Sequence, residues 1–154
     1  TNASSRLQFC RIAFGASGSA TADIDTGDAQ QVAEAYMAGE KPEFRWTGTR
    51  VYMPKNKVKL FLNLILVANA SIPRGGTLDA IISDGDGHTQ FKLRAVGRLM
   101  RVPQKFQDFM DGRFGDEGVD AHTVQFYYTL LLAREVGMTI NIDVGDEAIT
   151  YTAV

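Results

Sequence analysis

The sequence predicts an α+β two-layer sandwich. Two pairs of strands meet at tight-turn residues, one long helix is apolar nearly all round, and the amphipathic helices are grouped between the strand pairs rather than after each strand. A chain of 154 residues and 16.9 kDa fits one such domain.

Residues 3–16 read as a helix with two apolar rows, Leu7, Cys10 and Phe14 on one and Phe9, Ile12 and Ala13 on the other. A helix apolar on two sides calls for two neighbours, such as a preceding helix or a second subunit. The plainer reading lays it on its own domain. Residues 15–21 are small and polar, as in a hinge. Residues 25–38 form an amphipathic helix capped by Asp25 or Thr26, with Asp28 suited to the positive end of its dipole. Gly39 is expected to close it in a left-handed conformation, with Ile24, Val32, Ala35 and Tyr36 on the buried side.

Residues 43–47 set Phe44 and Trp46 against polar neighbours, the pattern of a half-buried strand. Pro54 opens a helix over 55–70 that is apolar on all sides beyond Lys59, and so buried under the sheet. Pro73 and Gly75-Gly76 end it. Strands at 77–83 and 89–96 are joined by the turn residues Asp84-Gly85-Asp86-Gly87. A short helix at 103–111 puts Phe106, Phe109 and Met110 on one side, and a glycine-rich acidic loop covers 112–118. Asp120 caps a helix over 121–136 with Val124, Tyr127, Tyr128, Leu131 and Leu132 inward, and Gly137 stops it. A last hairpin pairs 138–144 with 148–153 across Gly145-Asp146-Glu147.

Composition excludes several classes. A net charge of −2 does not suit a nucleic-acid binder that relies on a broad basic field. The single cysteine, Cys10, allows no internal disulfide and suits a reducing cytoplasm. His88 and His122 stand 34 positions apart and make no zinc site of familiar spacing with it, so no metal site is expected. No apolar run approaches the roughly 20 residues that span a bilayer, so no membrane association is expected. The chain opens without Met, and the expectation is that a segment precedes Thr1.

The element order, the stretch Asn63-Leu64-Ile65-Leu66-Val67-Ala68 and the turn Pro73-Arg74-Gly75-Gly76 resemble the ATP-binding domain of histidine kinases, the GHKL or Bergerat fold. More specifically, residues 6–16 (RLQFCRIAFGA) and 120–128 (DAHTVQFYY) resemble ChpT-type histidine phosphotransferases of bacterial phosphorelays, and the resemblance runs through essentially the whole chain. It implies three parts. Residues 1–16 would end the second helix of a dimerisation hairpin whose first helix is absent, 17–24 would be a linker, and 25–154 a degenerate ATPase-like domain.

Matched to the kinase motifs, the nucleotide site is eroded. Asn63 keeps the first asparagine, but Val67, one turn on, has no oxygen for a hard cation. Gly97, Leu99 and Arg101 stand where an adenine-reading aspartate and its glycines are needed. Asp84-Gly85-Asp86-Gly87 imitates that motif but lies where a turn is required. His122 and Val124 replace the glycines whose backbone N–H groups cradle phosphate. No ATP binding is therefore expected, and no other cofactor, with magnesium supplied by a partner receiver domain.

The resemblance implies a phosphotransferase that passes a phosphoryl group between receiver-domain aspartates through a histidine upstream of Thr1. No catalytic residue lies in this chain on that reading, and the stretch by itself is inactive. His88, at a turn, reads as solvated, and His122 as a polar residue of a helix start. Implied partners are the receiver of a hybrid kinase (CckA-like) and those of response regulators (CtrA-like, CpdR-like), together with a second copy through the hairpin, all in the cytoplasm. Gln8 and Arg11 are the candidate receiver contacts, Arg11 having a snorkelling role as its alternative. Arg50, Lys55, Lys57 and Lys59 either meet an acidic receiver or form a solvated helix end. The rival functions are an active ATPase or kinase module and a signalling scaffold without chemistry.

Overall fold

The computed structural model describes residues 2–15 and 22–154. Of the hinge predicted at 15–21, residues 16–21 lie outside the described residues. The elements are α1 (Asn2–Phe14), β1 (Asp23–Asp25), α2 (Thr26–Met37), β2 (Glu43–Thr47), β3 (Tyr52–Pro54), α3 (Lys55–Ala70), β4 (Thr77–Gly85), β5 (His88–Val96), α4 (Gln104–Met110), α5 (Val124–Val136), β6 (Ile140–Val144) and β7 (Ile149–Ala153). Among the described residues, five strands form the main sheet in the order β2-β4-β5-β7-β6. Only β2 runs parallel to its neighbour, because α3 lies in the connection between β2 and β4; the other pairs are antiparallel. The predicted α+β sandwich is the observed fold.

Strand periodicity divides the sheet into two faces. Leu78, Ala80 and Ile82 of β4 stand opposite Ala95, Leu93 and Phe91 of β5, and with Ile149, Tyr151 and Ala153 of β7 they are buried beneath the helices. The alternate residues Arg45, Asp79, Arg94, Thr150 and Asp143 cross the outer face in one row, with Arg45 and Asp79 paired at 2.8 Å. The turn residues Asp86 and Gly87 both have positive φ, as the β4–β5 hairpin requires.

Helix α3 is the axis of the core. Val58, Leu60, Phe61, Leu62, Leu64, Ile65, Val67 and Ala68 are buried on every side of it, and Phe61 packs against Trp46 and Phe91 with ring centroids 4.9 and 4.8 Å away. At its exit, Gly76 has φ +132°, and a Cβ there would lie 1.9 Å from the Val96 carbonyl oxygen. The loop can take this path only without a side chain.

Several expectations are corrected. The buried row of α2 is Thr26, Ala29, Ala33 and Met37, while Ala35 is exposed; small alanines let neighbouring helices approach, and Val32 and Tyr36 flank them. Asp25 is the cap, through Gly27 N. Gly39 is not left-handed. Its place reflects crowding, since a Cβ would lie 2.8 Å from Asn2 Oδ1 of α1. Val124 and Leu131 of α5 face outward at 50% and 40% exposure, because the inward stripe is Thr129, Leu132 and Ala133. Strands β1 and β3, which pair with each other, have too few residues to show a period. The basic set is not a uniformly solvated helix end. Arg50 pairs with Asp25, Lys57 bonds Thr89 Oγ1 at 3.1 Å, and Lys55 and Lys59 are buried. Burial holds the Lys59 amine below its usual range.

Candidate functional site

The seam where α1, α3 and α5 meet holds the first of the matched positions. Asn63 is wholly buried on α3. Its Nδ2 donates to the carbonyls of Ala13 at 3.0 Å and Lys59 at 2.8 Å, and its Oδ1 accepts from Gln125 Nε2 at 3.0 Å. Gln125 Nε2 also lies 2.9 Å from Thr129 Oγ1, and the Thr129 hydroxyl donates to the Gln125 carbonyl at 2.8 Å. Ala13 lies in the last turn of α1, where carbonyls have no helical partner, so Asn63 satisfies a group from another segment. Both amide hydrogens and the carbonyl oxygen of Asn63 are thus engaged within the protein.

One turn along α3, Val67 is fully enclosed. Beyond it the Ser71 hydroxyl donates to the Val67 carbonyl at 3.1 Å and shares a short hydrogen bond with the Tyr151 hydroxyl. Burial pushes the Tyr151 phenol up to about 12, with the Ser71 bond opposing. Phe106 of α4 lies edge-on to both Tyr151 and Phe126, at 6.2 and 5.9 Å. Aromatic side chains therefore fill the space between the end of α3, the sheet and α5.

The connection between α4 and α5 is held closed. Phe114 stacks on Phe109 at 5.0 Å, and Tyr127 meets both rings edge-on. Arg113 bonds Asp108 at 3.1 Å, and the Gln104 and Arg113 side chains hold the Asp108 carboxyl below its usual range. Asp120 Oδ1 accepts from the backbone N–H groups of His122 and Thr123 at 2.9 and 3.1 Å. The Thr123 hydroxyl, then burial opposing it, then these N–H groups set the direction, and the Asp120 carboxyl lies below its usual range. These N–H groups belong to the turn before α5, which starts at Val124 with Thr123 as its N-cap, so Asp120 does not cap the helix by its side chain as expected; the Val124 and Phe126 N–H groups donate instead to the backbone carbonyls of Asp120 and Thr123. His122 and Val124 are exposed beside Asp120.

Gly97, Leu99 and Arg101 lie at the opposite end of the seam. A Cβ on Gly97 would stand 2.5 Å from the Gly75 carbonyl oxygen, and Arg101 N donates to the Ser71 carbonyl at 3.0 Å. Two loops are thereby pressed together, and Arg74 of one and Arg98, Leu99 and Arg101 of the other are exposed. None of the three arginines has a carboxylate partner among the described residues. Gln8 and Arg11 are exposed on α1, while Phe9 and Ala13 of the same helix are buried. His88 is exposed at the β4–β5 turn.

The structure therefore joins Asn63 to Val67 in the core, groups Gly97, Leu99 and Arg101 at one edge, and leaves His122 and Val124 at the surface. Sequence reasoning missed Gln125 and Thr129. Their signal is a polar pair four apart on a helix otherwise rich in Phe, Tyr and Leu. It also missed Arg74 and Arg98, which only the packed glycines bring beside Arg101.

The family described as the histidine phosphotransferase C-terminal domain matches residues 26–148. The protein phosphotransferase ChpT of Brucella abortus (strain 2308) is 55% identical over 152 residues, covering 99% of this chain and 73% of that protein. A solved bacterial phosphotransferase is 53% identical with a TM-score of 0.94, over 99% of this chain and 73% of that one. The histidine kinase domain of the Erythrobacter litoralis EL346 blue-light activated kinase superposes with a TM-score of 0.63 at 14% identity, covering 99% of this chain and 78% of that one, a likeness of fold.

Proposed function

The chain belongs to the histidine phosphotransferase C-terminal domain family, and we propose that its kinase-like sandwich is a receiver-docking platform that does not use nucleotide. The protein is a histidine phosphotransferase, and phosphorelay receiver domains are its class of partner. Asn63 carries the reading. The residue matched to a kinase nucleotide ligand has its side-chain donors and acceptor engaged by Ala13, Lys59 and Gln125. Val67 offers no oxygen, and the Asp120 carboxylate takes the His122 and Thr123 N–H groups of the turn that leads into α5. These residues do not fit Mg-ATP.

In the proposed reaction an imidazole nitrogen attacks the phosphorus of a receiver's aspartyl phosphate. The N–P bond forms as the P–O bond breaks, the electron pair returns to the aspartate carboxylate, and the reverse step loads a second receiver. Magnesium comes with the receiver. The imidazole belongs to neither histidine of this chain. His122 lies beside the Asp120 carboxylate, and His88 beside Asp84 and Asp86, where an added phosphoryl dianion is repelled. We place it in a segment preceding Thr1, in a hairpin that pairs two copies. The receiver contacts are Gln8 and Arg11 on α1 with Arg98 and Arg101 on the sandwich, facing the acidic surface of CckA-, CtrA- or CpdR-like receivers in the cytoplasm. No helix among the described residues is long and apolar enough to cross a membrane.

The test mixes radiolabelled phospho-receiver with the full-length protein and with this stretch alone. Label should reach histidine in the former only. Label on His88 or His122 would overturn the assignment, and micromolar Mg-ATP binding by calorimetry would favour the ATPase reading.

A further inference from the structure

We propose that Asn63 is a positioning residue for receiver engagement: it locks α1 onto the sandwich, so that Gln8 and Arg11 on the helix keep one fixed position and rotation relative to the sandwich when a receiver touches both. The inference rests on the receiver-docking reading above.

Asn63 sits between Leu62 and Leu64 on a helix whose buried positions from Leu60 to Ala68 are otherwise filled by hydrocarbon. A buried amide is costly unless its hydrogen bonds are made, so stability of the sandwich alone would be served by another aliphatic residue. What the amide supplies is a directional bond to Ala13, fifty positions away, at a carbonyl of the last turn of α1. Gln125 orients it by donating to Oδ1. An apolar side chain here would let α1 slide or turn on its contact, since dispersion contacts have little directionality.

The other end of α1 has its own latch. Arg6 pairs with Glu40 at 2.8 Å and lies 5.2 Å above the Tyr36 ring, while Glu40 also accepts from Asn69 at 2.8 Å. Arg6 and Ala13 stand about two helical turns apart. Bonds at two such points fix both the direction and the rotation of the helix, where one bond would leave a pivot. With Phe9 and Ala13 turned to the core, Gln8 and Arg11 are held outward. A partner that must touch helix and sandwich together then meets them already aligned, and loses less freedom on docking. Asn63 touches no reacting group, so the lock acts on receiver affinity and not on the rate of transfer within the complex.

The test uses the full-length protein in a Cys10→Ser background, spin-labelled at Leu7→Cys and Gln90→Cys for pulsed distance measurement, with phosphotransfer followed on the unlabelled protein. Asn63→Ala should broaden the α1–sandwich distance distribution and raise the half-saturating phospho-receiver concentration about tenfold, while the maximal transfer rate stays within about twofold. Arg6→Ala changes an exposed side chain outside the core. It should shift both readouts in the same direction by less, so the outcome does not hang on Asn63→Ala folding. A narrow, unchanged distribution in both variants, or broadening with no change in half-saturation, overturns the proposal. Unchanged half-saturation in Arg98→Glu/Arg101→Glu would instead overturn the docking reading, and the distances would still judge the lock.

Discussion

Gln125 Nε2 donates to Asn63 Oδ1 at 3.0 Å, across the seam between α3 and α5. This one bond orients an amide whose own hydrogens hold α1 and the preceding turn of α3. The Asn63 side chain thus serves as a structural joint.

The coupling of these two amides is measurable. Gln125→Leu leaves the buried Asn63 oxygen without its donor and should lower stability by about 1–3 kcal/mol in urea unfolding. Adding Asn63→Leu to it should cost less than the two single losses combined, because the paired polar groups go together. Additive losses would show that the amides act independently.

Restoring the missing kinase asparagine should not restore nucleotide binding. Val67 is fully enclosed, so Val67→Asn buries an amide without partners and should destabilise by about 1–3 kcal/mol. Calorimetry with Mg-ATP should show no heat of binding, since Asn63 and the Asp120 carboxylate remain engaged as before.

Acid should unfold the protein through three carboxylates. Asp25 is lowered by the Arg50 bond and then Gly27 N–H, Asp108 by Gln104 and Arg113, and Asp120 by the Thr123 hydroxyl and neighbouring N–H groups. A folded-state value below the ordinary 3.8 means that the unfolded chain binds the extra proton first. Their stabilisation is present above that value and is lost as pH falls through the lower folded values. Melting temperature followed from pH 6 downward should drop below about pH 4, and Asp25→Asn, Asp108→Asn and Asp120→Asn together should flatten that drop.

Alkali should act through Tyr151. Its phenol is raised from 10.0 to about 12 by burial, so the folded state keeps a proton that the unfolded state releases. Stability is intact below pH 10 and falls as pH rises from there through the folded value. Tyr151→Phe should remove this contribution to the alkaline slope. It should also cost about 1 kcal/mol at neutral pH, from the lost bond to Ser71. An alkaline slope identical in wild type and variant would place the titration elsewhere.

Local chemistry written along the chain was enough for most elements. The run around Asn63 specified a buried helix because its apolar residues face every direction, and Asp86-Gly87 specified a hairpin because few residues accept positive φ there. Gly137 likewise ends α5 in the left-handed conformation expected of it. That the Val67 side chain carries no oxygen is equally local. Tertiary packing settled which side of α2 and α5 faces inward, since alanine and threonine are buried there on account of their partners and not their hydropathy. It also converted two lysines of a charge run into buried groups, and it gathered three arginines from loops separated in sequence by pressing Gly76 and Gly97 together. A hydrogen bond from Asn63 to Ala13 depends on where two helices cross, and nothing in the residues between them encodes that distance until the core has formed.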